Sequence, residues 1–282
     1  MTEGFGTRLS TAVTARGPLC VGIDPHPPLL TAWGLPTSAA GVERFARGLI
    51  EAIGSEVAVF KPQSAFFETY GSAGIAVLER VLADLRAVGA ISVLDVKRGD
   101  IGSTMDAYAA AYLADGAPLA ADAITASPYL GFGSLAGAID LAAKTGRGVY
   151  VLALTSNPEG PQVQHARVAD GRIVGQAILD EVAERNAAAR EVGELGHVGV
   201  VVGATIGRTA ADFSRLNGSI LVPGLGAQGG TAAGLAEVFG DARQLVLPSS
   251  SREILSAGPD PSALRAAVGK AQAAIGDVIA VG

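Results

Sequence analysis

AISVLDVK (90–97) reads as a strand whose apolar residues run on without alternation, up to Asp95 and Lys97. Continuous rather than alternating apolarity means that both faces are covered, as in a parallel sheet flanked by helices. The overlapping segment VLDVKRGDIGST (93–104) then places Asp95, Lys97, Arg98 and Asp100 within six positions. A strand entering a core does not carry opposed charges at alternate positions unless something at its end uses them. Asp95 and Lys97 are two apart, so both point to one side of the strand, about 6–7 Å apart along it.

Seven further runs share this character: LCVGID (19–24), EVAVFKP (56–62), AITAS (123–127), GVYVLAL (148–154), VGVVVGA (198–204), SILVPG (219–224) and RQLVLPS (243–249). Amphipathic helical patterns such as GVERFARGLIEAIG, AVLERVLADLRAVG and TAAGLAEVFGDA lie between runs, with Gly or Asp near their ends as stops. Strands separated by helices imply parallel pairing. Eight such units in 282 residues predict a (β/α)8 TIM barrel of the α/β class, a fold of about 250 residues; a doubly wound open sheet is the rival. With no linker or low-complexity segment, residues 1–282 are expected to form a single domain. The longest connection, 155–176, holds Pro, Gly and polar residues and is expected to be a mobile loop or lid.

The composition, 49% hydrophobic and 17% charged, suits a large buried core. A net charge of -6 and a pI near 5.1 argue against nucleic-acid or anionic-membrane binding, which needs a basic face. The one cysteine, Cys20, precludes a disulfide framework and points to a reducing compartment. The N-terminus lacks an apolar signal core and no run reaches membrane-spanning length, so a cytoplasmic location is expected.

In a barrel, the C-terminal ends of the strands carry the chemistry. Here they carry Asp24, Lys61, Asp95 with Lys97, Ser127, Thr155 with Ser156, and Ser249 to Arg252. Lysine usage sharpens the pattern: the chain has 17 arginines and four lysines, and two of the four, Lys61 and Lys97, end strands. A compact ammonium suits proton transfer better than a guanidinium does; the alternative is a structural ion pair at the rim.

SILVPGLGAQGG formally matches G-x-G-x-x-G, but it follows the seventh strand rather than the first, so it is not a dinucleotide fingerprint. Glycine-rich backbone there, with SSSRE after strand eight, fits the phosphate site common in such barrels, with Arg252 pairing to the dianion. The histidines, His26, His165 and His197, have no metal-ligand spacing, and His26 in DPHPP is expected to be solvated. No metal and no nucleophile elbow are expected.

DVKRGDIGST, with Asp95, Lys97, Asp100, Ile101 and Thr104, resembles the D-x-K-x-x-D-I-x-x-T signature of the orotidine 5′-phosphate decarboxylase family. GIDPHP, VFKPQSAFFE, TASPYLG, LTSNPEG, VPGLGAQGG and SSSRE resemble its other segments in order, and SNPEG with the long middle connection is similar to the longer bacterial subfamily. The resemblance implies a cofactor-free homodimer that converts orotidine 5′-monophosphate to UMP and CO2. It implies one charged network of Asp24, Lys61, Asp95 and Lys97, with Lys97 protonating C6. Asp100 and Thr104 would reach the ribose hydroxyls of the neighbouring subunit's substrate. Ser127 would meet the pyrimidine amide edge, Gln228 would bridge phosphate and base, and Arg252 would hold the phosphate. The run Ser249 to Ser251 departs from the Gly-containing turn common before that Arg. Two other readings remain: a Mg2+-dependent sugar-phosphate decarboxylase or aldolase on the same barrel, and a catalytically silent phosphate-ligand-binding protein.

Overall fold

Eight parallel strands close into a barrel in sequence order: β1 (Cys20–Ile23), β2 (Val59–Pro62), β3 (Ile91–Arg98), β4 (Ala123–Ala126), β5 (Gly148–Leu154), β6 (Val198–Val202), β7 (Ile220–Pro223) and β8 (Val246–Ser250). This computed structural model describes residues 3–207, 211–225 and 230–279. Pairing of Cys20 with Ser249 and Val21 with Ser250 joins β1 to β8 and closes the sheet. The open-sheet alternative is thereby excluded. Each expected strand is found, but the eighth starts later than its sequence suggests. Gly240–Leu245 forms a 3-10 turn, entered through Gly240 at φ 49°, and β8 begins only at Val246.

Helices cover the outside because their apolar residues recur at helical spacing. In Ala39–Ile53, Val42, Phe45, Ala46, Leu49, Ile50 and Ile53 form one buried stripe, and Ser38 caps the start by accepting from the Gly41 N–H at 3.3 Å. This shell packs against outward-facing strand residues such as Val21, Phe60, Leu94 and Val200.

The inward-facing residues form a separate core, and its order along each strand prepares the site. Cys20, Val59, Ile91, Val93, Ala123, Tyr150, Val201, Leu221 and Leu247 fill the lower interior. The helix Phe5–Arg16 closes that end: Phe5 and Leu9 enter the same cluster, and the Phe5 ring meets Tyr150 edge-on at 6.1 Å. β5 opens with Gly148 because a Cβ there would lie 2.5 Å from the Phe5 ring. Strand side chains alternate faces, so one further inward step above this floor brings Lys61 over Val59, Asp95 over Val93, Thr125 over Ala123 and Ser249 over Leu247. The barrel is apolar below and polar above.

Phe5→Ala tests the floor. Deleting a fully buried phenyl should destabilise the fold by about 3–5 kcal/mol, read as a lower denaturant midpoint. Turnover per folded molecule should stay within about twofold of wild type, since the site lies a layer higher. Unchanged stability would mean that the helix does not close the barrel.

The connection 155–176, expected to be a mobile loop or lid, carries structure of its own. It contains the helix Pro161–Gln164 and an antiparallel bridge between Arg167 and Ile173, and the helix Val174–Arg185 begins before it ends. Val168 N–H donates to the Arg172 carbonyl at 2.9 Å, and Arg172 pairs with Asp170 and Asp180.

Candidate active site

The polar upper layer opens into a cavity of about 410 Å³ at the C-terminal ends of the strands, where Asp24, Lys61, Asp95, Lys97 and Arg252 all reach its wall. Asp95 is its centre. Oδ2 accepts from Lys61 Nζ at 3.1 Å and from Gln63 Nε2 at 2.8 Å, and Oδ1 accepts from Lys97 Nζ at 2.6 Å and from the Thr125 hydroxyl at 2.7 Å. Four donors from β2, β3, β4 and the residue just after β2 therefore saturate one carboxylate.

Burial by itself would raise the Asp95 pKa, and it is the largest single influence. The charges of Lys61 and Lys97, with the hydrogen bonds of Lys97 and Thr125, outweigh it and hold the carboxyl well below the usual carboxylate range. Lys61 shows the reverse balance. Burial favours its neutral amine, but Asp95 and then Asp24 together overcome this and keep its pKa above the ordinary lysine value. Below them, burial pushes the Cys20 thiol up to about 12, so it remains a neutral filler.

Lys97 differs from Lys61 in exposure: its side chain is 46% accessible, against 7% for Lys61 and for Asp95. Its ammonium thus has one anionic partner below and open cavity above. Its backbone is also unusual, with φ at 44° in a non-glycine residue, a conformation that costs about 1–2 kcal/mol. The β3–β4 register shifts between Leu94 and Arg98, and within this irregularity the Lys97 N–H donates to the Thr125 side-chain oxygen at 2.9 Å. Strain of this kind collects where surrounding structure over-determines a functional geometry.

Asp24 reaches the cavity with its Oδ1 buried and without a hydrogen-bond partner among the described residues. A buried acceptor left unsatisfied is suited to a donor on a ligand. Arg252, first residue of the short helix Arg252–Leu255, is exposed at the cavity mouth and forms no ion pair with a described residue. Gly224 and Leu225 line the same side, and Gly224 adopts φ 98°, which its lack of a Cβ permits. Gln228 lies outside the described residues. Ser249 and Ser251 line the wall, and Ser251 fits because the facing Gly22 has no Cβ: one there would lie 1.9 Å from the Ser251 hydroxyl oxygen.

Ser127, expected at the pyrimidine edge, and Asp100 and Thr104, expected to reach a neighbouring subunit's substrate, do not line this cavity. Ser127 follows the end of β4; its N–H donates to the Arg98 carbonyl at 2.8 Å, and the residue lines a neighbouring groove with Tyr129 and Phe132. From β4 it is Thr125 that reaches the central cavity, and Ser156 and Asn157 reach it from beyond β5. Asp100 turns back on its own chain, accepting from the Ile101 N–H at 2.9 Å, and Thr104 is exposed on the helix Gly102–Leu113. Neither lines the cavity. Between them Ile101 is 62% exposed, an apolar side chain on the outer face.

Ser156, noted among the strand-end residues, does reach the cavity, whereas Gln63, Thr125 and His26 are members that inspection of strand ends does not single out. His26 is not simply solvated: it lines the cavity with its ring 4.1 Å from that of Phe66. Counting in steps of two from Lys61 and from Ala123 would have found Gln63 and Thr125. Among the described residues no cluster of three or more His, Cys, Asp or Glu is placed to hold a metal ion.

The family model of the orotidine 5′-phosphate decarboxylase / HUMPS family matches residues 17–267. The chain belongs to this family. Orotidine 5′-phosphate decarboxylase of Salinispora arenicola is 60% identical over 265 residues, covering 94% of each chain, and that of Streptomyces coelicolor is 56% identical over the same span. A solved structure from Streptomyces avermitilis matches with a TM-score of 0.95 at 54% identity, covering 99% of this chain and 97% of its own. Leishmania donovani OMP decarboxylase matches at a TM-score of 0.77 and 31% identity, over 99% of this chain and all of its own. With relatives of this closeness across the barrel, the chain is an orotidine 5′-phosphate decarboxylase, a carboxy-lyase.

Proposed function

We propose that this decarboxylase binds orotidine 5′-monophosphate with C6 of the pyrimidine over Lys97, and that Lys97 delivers the proton that replaces CO2. The observation that carries this reading is the Lys97 ammonium, 2.6 Å from a saturated Asp95 and otherwise facing open cavity. Breaking the C6–carboxylate bond leaves its electron pair on C6 in an orbital that the ring delocalises poorly. An adjacent ammonium stabilises that charge and then transfers a proton to it, forming the C6–H bond of UMP and leaving a neutral amine. Asp95 stays anionic and holds the ammonium in place, with Lys61 balancing its charge. Asp24, with its unpaired Oδ1, supports a ribose hydroxyl. Ser156, which lines the cavity, is the better candidate than Ser127 for the pyrimidine edge. Gln228 remains the candidate for a bridge between phosphate and base.

The reaction is tested by the fall in ultraviolet absorbance as orotidine 5′-monophosphate is consumed. Activity that survives exhaustive chelation, with no response to Mg2+, is expected. Activity restored only by Mg2+ would favour the sugar-phosphate reading, and no turnover at all would favour the silent binding protein.

Arg252 at the mouth, beside Gly224 and Leu225, is the proposed phosphate ligand. Arg252→Ala should lower kcat/KM for the nucleotide by the equivalent of about 2–5 kcal/mol if the bound phosphate buries the charged contact. Part of that loss should fall on kcat, because phosphate binding energy orients the ring remotely. Turnover of orotidine, which lacks the phosphate, should scarcely change. Equal loss with both substrates would remove Arg252 from the phosphate site.

The working unit is proposed to be a homodimer of single-domain barrels in the cytoplasm, acting in UMP synthesis. The outward placement of Asp100 and Thr104 around the exposed Ile101 supports a shared site, in which each subunit completes its neighbour's cavity. No helix among the described residues is long and apolar enough to cross a membrane.

A further inference from the structure

We infer that Thr125 is a positioning residue for decarboxylation, fixing through one hydroxyl both the backbone of Lys97 and the carboxylate of Asp95. Thr125 is 1% exposed and sits on β4, beside the two residues it serves. Its oxygen accepts from the Lys97 N–H at 2.9 Å, and its own hydrogen goes to Asp95 Oδ1 at 2.7 Å. Oδ1 is also the oxygen that holds the Lys97 ammonium. One hydroxyl therefore grips Lys97 at both ends, directly at the backbone and through Asp95 at the ammonium.

The grip has a task because the Lys97 backbone lies at φ 44°, within the register shift where β3 leaves regular pairing with β4. A residue in a sparsely populated conformation relaxes unless its surroundings hold it. The hydroxyl supplies that hold where the ladder does not. Relaxation would move the ammonium relative to the reacting carbon while leaving Asp24 and Arg252, the groups that grip ribose and phosphate, where they are.

This inference rests on the assignment of Lys97 as proton donor, and its test separates the two. Thr125→Val keeps the branched shape and removes the hydroxyl. It should lower kcat by about 10–100-fold, the scale of a small misplacement of a catalytic group, with KM and the Kd for UMP within about threefold of wild type. Thr125→Ser, which restores the hydroxyl, should recover most of the lost turnover. Wild-type kcat in Thr125→Val would overturn the inference. So would a Thr125→Ser variant as slow as Thr125→Val, which would make the methyl group the requirement. Loss of UMP binding and thermal stability in step with turnover would assign Thr125 to the scaffold and overturn it as well. The donor assignment stands or falls separately, on Lys97→Ala with Thr125 intact.

Discussion

Lys97→Ala is expected to fold, to bind UMP, and to lose turnover by at least about a thousandfold, or about 4 kcal/mol of transition-state stabilisation. Folding should survive because the Lys97 side chain is half exposed and Asp95 keeps three donors, Lys61, Gln63 and Thr125. Turnover should not survive. Of the two described cations that contact Asp95 and reach the cavity, the lost ammonium is the accessible one, at 46% exposure against 7% for Lys61 beneath it. Without Lys97 the charge left on C6 would face a carboxylate instead of an ammonium. Lys97→Arg should fail nearly as badly, since a guanidinium yields a proton far less readily than an ammonium. Single-turnover absorbance measurements and UMP binding separate chemistry from affinity. Near-normal turnover in Lys97→Ala would remove Lys97 from the chemistry.

The barrel was legible because its signal is repeated: eight apolar runs, each bounded by helical spacing, leave few ways to pair. The charged network was legible for a different reason. Asp24, Lys61, Asp95 and Lys97 stand at or near strand ends, and alternation places such side chains inside the barrel at its upper end. What could not be read depends on where a strand stops alternating. Ser127 is two residues beyond Thr125 and so has the same parity, yet β4 ends at Ala126 and the chain turns outward, with the Ser127 N–H committed to Arg98. Ser156, noted among the strand-end residues, and Asn157, which was not, reach the cavity from beyond β5. The left-handed backbone of Lys97 likewise has no sequence signature, since lysine is not a residue that favours it. His26 was misjudged because its partner, Phe66, follows a different strand, and a ring contact between loops is not written in either segment.

Mixing two inactive variants should restore activity, because DVKRGDIGST is proposed to serve two cavities. Lys97, next to last in β3, reaches its own barrel's cavity. Asp100 and Thr104, only a few residues on, do not line that cavity: the first caps the Ile101 N–H and the second is exposed. A motif divided in this way fits the proposed two-fold assembly, in which each subunit would present Asp100 and Thr104 to its neighbour. Lys97→Ala and Asp100→Ala homodimers should each be severely impaired, since every site then carries one lesion. Unfolded and refolded together, half of the dimers should be hybrids. A hybrid gathers both lesions in one site and leaves the other intact, so roughly a quarter of wild-type sites should return. Size-exclusion chromatography checks that dimers have re-formed, and separately refolded parents give the baseline. If dimers form and activity stays at that baseline, Asp100 acts within its own subunit, and the outward turn after Lys97 needs another explanation.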